Sequence, residues 1–126
     1  DTDRSRGLGD VYKRQDKVTI GRVLKIYLGT EYDLEYFEDP IKALEWLNEG
    51  NLPDLIISDI RMPHMRGNEF LYYLKGNELL KHIPVVMLSS EESTTERIHL
   101  LEAGAADYIL KPFNPLELRA RIKKYI

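Results

Sequence analysis

Three short apolar runs limit what this chain can fold into more than any other feature of its sequence. The runs are LIIS (55–58), VVML (85–88) and YIL (108–110), and a segment with helical spacing follows each of them. Apolar runs of this length that end at turns are typical of strands buried on both faces. Strands that alternate with helices in this way predict a parallel sheet between two layers of helices.

Five segments have apolar residues at helical spacing, and several of them begin or end at residues that are typical of helix ends. Asn114 and Pro115 stand where an N-cap and a first helical residue are expected, and Gly104 stands where a helix ends. Alternating apolar and polar residues over 32–36 predict one further strand. The predicted helices cover 19–29, 40–50, 68–77, 93–104 and 114–126.

The composition excludes several classes of protein. The chain has 126 residues and a net charge of −3, which fits one globular domain without a basic surface for nucleic acid. It contains no cysteine, and no apolar run approaches the roughly 18 residues of a membrane span. We therefore expect a cytoplasmic protein that binds neither membranes nor nucleic acid directly.

A polar residue stands at the carboxyl end of each apolar run. These residues are Asp59, Ser89 and Lys111. Taken singly, each has a simpler explanation, since the aspartate or the serine can cap a turn or helix and the lysine can be solvated. Together they favour a functional site, because the carboxyl ends of parallel strands meet at the edge where such sheets bind ligands.

A carboxylate, a hydroxyl and an ammonium at one edge are suited to phosphoryl transfer. The carboxylate of Asp59 can attack a phosphoryl group and carry it as an aspartyl phosphate. Lys111 would offset charge on one phosphoryl oxygen, and Ser89 would donate a hydrogen bond to another. Mg²⁺ would complete the site, provided that a further acid helps to hold it.

The motifs LIISDIRMP, VVMLSS and ADYILKPF resemble those of response-regulator receiver domains, the CheY-like fold. The resemblance covers 16–126 and implies a doubly wound, flavodoxin-like sheet of five parallel strands in the order 2-1-3-4-5. It implies that Asp59 is the phosphoacceptor, Lys111 the phosphate-binding lysine and Ser89 the switch hydroxyl. Tyr108 corresponds to the aromatic residue that swings inward on activation, although a half-buried strand aromatic explains it equally well.

The resemblance also implies a Mg²⁺ site and a cis Lys111–Pro112 peptide. The metal ligands would be the carboxylates of Asp16 and Asp59 and the backbone carbonyl of Arg61. Receiver domains carry a pair of acids after their first strand, and the first of the two is replaced here by Gln15.

Residues 1–15 depart further from the family pattern, because GLGDVYKRQD stands where a buried strand is expected. The chain can be a degenerate receiver, GLGD can be a phosphate loop, or the segment can be non-native. We favour the third, because DVYKRQ can be encoded by GATGTGTATAAGAGACAG, which resembles a transposon-end adapter of sequencing libraries. The receiver domain would then comprise 16–126, and a helical pattern that runs to the last residue makes truncation there plausible.

We expect a receiver domain of a two-component phosphorelay, a signalling phosphoacceptor that promotes its own phosphorylation and dephosphorylation and is not an enzyme. A histidine kinase or phosphotransfer protein would phosphorylate Asp59 and reshape the helix 4–strand 5–helix 5 face, through which an effector domain or a second copy would bind. Two alternatives stay open. One is a pseudo-receiver without phosphorylation, and the other is an aspartyl-phosphate phosphatase, which usually needs an acid where Arg61 stands.

Overall fold

A computed structural model of the chain describes residues 20–61, 64–90 and 93–126. The helices are α1 (Ile20–Leu28), α2 (Pro40–Asn48), α3 (Gly67–Gly76), α4 (Thr94–Glu102) and α5 (Pro115–Ile122). The strands are β1 (Ile56–Asp59), β2 (Val85–Ser89) and β3 (Asp107–Leu110). Among these described helices, none has the length and apolar composition that crossing a bilayer requires.

The three strands form one parallel sheet in the order β1-β2-β3. Asp59 at the end of β1 lies beside Leu88, and Ser89 at the end of β2 lies beside Leu110. Every residue of β2 is buried, as expected for a strand with neighbours on both sides and helices on both faces. The parallel arrangement therefore brings the carboxyl ends of the three strands to one edge.

Two apolar clusters cover the two faces of the sheet. Val86 and Leu88 point toward the cluster that α1 and α5 complete, whereas Val85 and Met87 point toward the cluster of α2, α3 and α4. Successive side chains of a strand point to opposite faces, so the continuous apolar run of β2 serves both clusters. The predicted doubly wound α/β architecture is confirmed.

The two strands predicted before β1 both stay predictions. The position of the first strand, within residues 7–16, lies outside the described residues. Residues 32–36 are assigned to neither a helix nor a strand, and the first strand that would lie beside them is outside the described residues, so the strand predicted there stays a prediction. An extended segment becomes a strand only through a neighbour, and in the order 2-1-3-4-5 that neighbour is the first strand.

The residues predicted to begin and to end helices are confirmed for one helix start, at Asn114, and one helix end, at Gly104. The side chain of Asn114 accepts hydrogen bonds from the N–H groups of Leu116 and Glu117, with Pro115 at the first helical position. Gly104 follows α4 with a φ of 112°, a conformation that glycine adopts without steric cost.

Candidate functional site

The side chains of Asp59 and Lys111 meet at the carboxyl edge of the sheet. Nζ of Lys111 lies 2.9 Å from Oδ1 and 2.8 Å from Oδ2 of Asp59. The two side chains are only 11% and 25% exposed, so this is a shielded, charge-assisted contact and not a surface ion pair. The convergence that the strand ends predict is therefore present for the carboxylate and the ammonium.

Lys111 is held in place by the end of β2. Its backbone N–H donates a hydrogen bond of 2.7 Å to the carbonyl oxygen of Ser89. The peptide bond between Lys111 and Pro112 is cis, as the family resemblance implies. The ammonium of Lys111 therefore lies at Asp59, while its backbone is fixed to the neighbouring strand.

Ser89 supplies a fully buried hydroxyl at the end of β2. The residue is 2% exposed, whereas the adjacent Ser90 is exposed. Ser89 stands one position past Leu88, the residue that pairs with Asp59 in the sheet. The three predicted residues therefore come from three adjacent strand ends.

The loop after β1 begins at the carboxylate. The backbone N–H of Arg61 lies 3.4 Å from Oδ1 of Asp59, and the side chain of Arg61 is exposed. The N–H of Ile60 donates to the carbonyl of Leu88, which extends the contact between β1 and β2 by one residue. Arg61 therefore lies beside Asp59, in the first turn of the loop that follows β1.

Gly67 is a residue of this region that sequence reasoning missed. Its N–H donates a 2.7 Å hydrogen bond to the carbonyl of Ile60, so the start of α3 packs against the end of β1. A Cβ atom at Gly67 would collide with the carbonyl oxygen of Asp59 and lie 2.7 Å from Cα of Ile60. Only glycine fits this contact, and the signal in the sequence was a glycine as the first residue of a helix.

His64 and Asp39 form a second contact that the sequence did not indicate. Nδ1 of His64 lies 3.1 Å from Oδ2 of Asp39, while Oδ1 of Asp39 accepts the N–H of Ile41 at the start of α2. His64 has a φ of 69°, in the left-handed region where Asn, Asp and His are enriched among residues other than glycine. The contact ties the loop after β1 to α2.

Tyr108 is buried in β3, with 8% of its surface exposed. Its hydroxyl donates a hydrogen bond to Oε1 of Glu96 on α4 at 3.3 Å. The ring therefore faces the cluster of α2, α3 and α4, and it couples the last strand to α4. A change of rotamer on activation stays a prediction.

The predicted metal ligand Asp16 lies outside the described residues, as does Gln15. Within the described ranges, no group of three or more His, Asp or Glu side chains is placed to hold a metal ion. Asp59 and the loop at Arg61 offer a carboxylate and a backbone carbonyl, which are the oxygen ligands that Mg²⁺ prefers. They fit the predicted metal, but they supply only part of its coordination.

Comparison with known proteins identifies the family. Residues 15–123 match the family described as the response regulator receiver domain. The chain belongs to this family. A receiver domain is a module of two-component systems.

Two curated relatives are much longer than this receiver domain. Histidine kinase P4 of Formosa agariphila is 43% identical over 103 residues, which are 82% of this chain and 7% of that protein. The phosphate regulon transcriptional regulatory protein PhoB of Escherichia coli is 46% identical over 86 residues, which are 68% of this chain and 37% of PhoB. The receiver domain therefore spans well under half the length of either relative.

A solved receiver domain has the same fold. The receiver domain of sensor histidine kinase PA1611 from Pseudomonas aeruginosa, crystallised with a magnesium ion in its active site cleft, superposes with a TM-score of 0.71. It is 26% identical, and the match covers 82% of this chain and 84% of that one. The CheY-like fold expected from the motifs is confirmed.

Proposed function

We propose that Asp59 is the phosphoacceptor of this receiver domain. The observation that carries the proposal is the contact of Lys111 with both carboxylate oxygens of Asp59, at 2.8 and 2.9 Å, on an edge where Ser89 is also buried. An aspartate held by one lysine at the end of a buried strand has its nucleophilic oxygens at the sheet edge. This is the position from which it can meet a phosphoryl donor.

The proposed reaction uses three side chains of the chain itself. A carboxylate oxygen of Asp59 forms a bond to phosphorus, while the bond from phosphorus to the donor breaks and its electron pair leaves with the donor. The ammonium of Lys111, which contacts the carboxylate of Asp59 before the reaction, contacts a phosphoryl oxygen afterwards. As a compact positive charge, it offsets the negative charge of that oxygen. The hydroxyl of Ser89 donates a hydrogen bond to another phosphoryl oxygen. The position of Ser89 would therefore depend on whether Asp59 is phosphorylated.

A divalent cation completes the proposal, and we assign Mg²⁺. The PA1611 receiver domain binds magnesium in its active site cleft. In this chain Asp59, Asp16 and the backbone carbonyl of Arg61 would hold the ion. Bound there, it would neutralise charge on the transferring group. Gln15 brings no charge to this site, so we expect weaker Mg²⁺ binding than with an acid at that position.

The proposed donor is a histidine kinase or a phosphotransfer protein, which presents a phosphohistidine to Asp59. Phosphorylation would reposition Ser89 and Tyr108 and reshape the face formed by α4, β3 and α5. The contact of Tyr108 with Glu96 supports this route, because it joins β3 to α4. An effector domain or a second copy of the chain would bind that face.

We also propose that residues 1–15 are non-native and that the receiver domain comprises 16–126. Lys13 and Arg14 support this division, because they are charged residues where the family pattern leads us to expect a buried strand. The module acts as a signalling phosphoacceptor, as receiver domains generally do. The cytoplasmic location expected from the cysteine-free composition remains part of the proposal.

The test is phosphorylation by acetyl phosphate with and without Mg²⁺, followed by intact-mass measurement. It is run on the unaltered chain and on a variant with residues 11–16 replaced by ILIVDD. We expect one added phosphoryl group that requires Mg²⁺ and is lost in Asp59→Asn. Asp54→Asn is the matched control, because Asp54 is an exposed aspartate before β1, away from the carboxyl edge. Equal labelling of Asp59→Asn and the wild type would overturn the assignment.

A further inference from the structure

The ring of Tyr108 lies inward, in the apolar cluster that also contains Met87 and Leu100. Only 8% of the residue is exposed. Burying a hydroxyl is unfavourable unless the hydroxyl keeps a hydrogen bond, so a buried tyrosine needs a polar partner at its tip. A group that accepts this hydrogen bond therefore favours the inward position of the ring.

Glu96 accepts such a hydrogen bond from the first turn of α4. Its Oε1 lies 3.3 Å from the hydroxyl of Tyr108. The backbone N–H of Glu96 donates at 3.1 Å to Oγ of Ser93, the N-cap of the helix. The backbone of Glu96 is thus fixed at the start of α4, while its half-buried side chain reaches the tip of Tyr108.

The same strand connects Tyr108 to the candidate site. Lys111 follows Tyr108 by three residues, and its Nζ contacts both carboxylate oxygens of Asp59, at 2.8 and 2.9 Å. The inward ring and the contact of Lys111 with Asp59 occur in one structure. The inward position of Tyr108 therefore does not require Lys111 to leave Asp59.

β3 contacts α5 through the neighbouring residue. Oδ2 of Asp107 lies 3.0 Å from a guanidinium nitrogen of Arg121, a side chain that is 44% exposed. Successive side chains of a strand point to opposite faces, so Asp107 faces α5 and Tyr108 faces α4. The contact of Asp107 with Arg121 therefore offers a control that affects the same strand without involving Tyr108 directly.

We propose that Glu96 is a positioning residue, which favours the inward position of Tyr108 while Lys111 contacts Asp59. Tyr108 exchanges between inward and outward positions, and the bond to Glu96 raises the inward share. One hydrogen bond changes such a ratio by about two- to tenfold. Phosphorylation would then add to a bias that Glu96 has already given to the α4–β3–α5 face, and this last step rests on the proposed function of Asp59.

The experiment measures how accessible the ring of Tyr108 is in the full chain, without any phosphoryl donor. Tyrosine rings are labelled with ¹³C, and NMR follows their relaxation by a dissolved gadolinium chelate. The signal of Tyr108 is the one lost in Tyr108→Phe, and Tyr72, which is 57% exposed, provides the reference for an exposed ring. We expect Tyr108 to be protected in the wild type.

Three variants separate the role of Glu96 from a general loosening of the strand. Glu96→Ala should raise the relaxation of Tyr108 by about two- to tenfold, toward that of Tyr72. Glu96→Gln should stay close to the wild type, because its amide oxygen can accept the same hydrogen bond. Arg121→Ala removes the contact of β3 with α5 and should leave Tyr108 protected.

A wild-type Tyr108 as accessible as Tyr72 would overturn the proposal, as would a Glu96→Ala variant with an unchanged ring. An equal rise in Arg121→Ala would also overturn it, because any loosening of β3 would then release the ring. Phosphorylation by acetyl phosphate, measured separately, distinguishes this inference from the proposed function. Protection of Tyr108 that depends on Glu96, in a chain whose Asp59 is never phosphorylated, would support the role of Glu96 and overturn the proposed function alone.

Discussion

Gly67 packs so closely against Asp59 that a Cβ atom at position 67 would collide with the carbonyl oxygen of Asp59. The same atom would lie 2.7 Å from Cα of Ile60 and 3.0 Å from Cε of Met87. Two of these three neighbours are backbone atoms, which cannot move aside without displacing the end of β1. The glycine is therefore part of what fixes the phosphoacceptor candidate in the sheet.

Gly67→Ala is expected to destabilise the fold. Overpacking against a rigid neighbour usually costs about 1–3 kcal/mol of unfolding free energy, which urea denaturation can measure. Gly76→Ala is the matched control at the other end of α3, because nothing lies within 4 Å of a Cβ there. Alanine is the better helix former, so this control should be neutral or slightly stabilising. Equal effects of the two substitutions would contradict the close contact at Gly67.

Lys111→Ala is expected to impair the response to phosphorylation more than it impairs folding. The substitution removes a charge whose attraction to an anion about 4 Å away is on the order of 4 kcal/mol at an effective dielectric of about 20. The measurement compares backbone amide NMR shifts in α4, β3 and α5 with and without beryllofluoride, beside urea denaturation. Lys42→Ala, an exposed lysine on α2, should respond like the wild type. A Lys111→Ala variant that responds to beryllofluoride as fully as the wild type would refute the assigned role.

Lys75 is expected to make stability depend on pH in the alkaline range. Its Nζ donates to the carbonyls of Lys81 and Ile83, and burial lowers the pKa of Lys75 from its ordinary value of 10.5. Between the folded and the unfolded pKa, the unfolded chain binds more protons at Lys75 than the folded chain does. The contribution of Lys75 to stability therefore rises with pH through this window, up to 10.5.

The prediction for Lys75 is tested by comparing the wild type with Lys75→Met. The difference in unfolding free energy should shift in favour of the wild type as pH rises toward 10.5, since the shared tyrosines and other lysines cancel in the comparison. A difference that stays flat, or that moves in favour of Lys75→Met, would show that burial does not disfavour the charged form of this side chain.

Replacing residues 11–16, VYKRQD, by ILIVDD is expected to raise the melting temperature and strengthen Mg²⁺ binding together. Each large apolar side chain that becomes buried can contribute about 2–5 kcal/mol, and an acid replaces Gln15 at the proposed metal site. Thermal denaturation with and without Mg²⁺ measures both effects. An unaltered chain that melts as high and binds Mg²⁺ as tightly would show that VYKRQD is a working strand.

The sequence predicted the strand ends and their convergence because both depend on short-range patterns. Runs such as LIIS and VVML mark buried strands, and parallel packing then requires Asp59, Ser89 and Lys111 to share an edge. The contact of Asp59 with Lys111 follows from this topology without any knowledge of the loops.

The sequence did not predict contacts that depend on how loops and helices pack. His64 and Asp39 are separated by 25 residues and touch only because the loop after β1 folds over the start of α2. The bond from Tyr108 to Glu96 likewise depends on the position of α4. The strand predicted over 32–36 has the right alternation, but the neighbour expected for it lies outside the described residues, so it stays a prediction.

The most direct test of the central claim locates the phosphoryl group. The chain is treated with acetyl phosphate and Mg²⁺ and then with borohydride, which reduces an aspartyl phosphate to homoserine, and the peptides are sequenced by mass spectrometry. The account predicts homoserine at position 59, in the peptide that carries LIISDIR, and no homoserine there without Mg²⁺. An unmodified Asp59 in a phosphorylated chain, or homoserine at another aspartate instead, would contradict it.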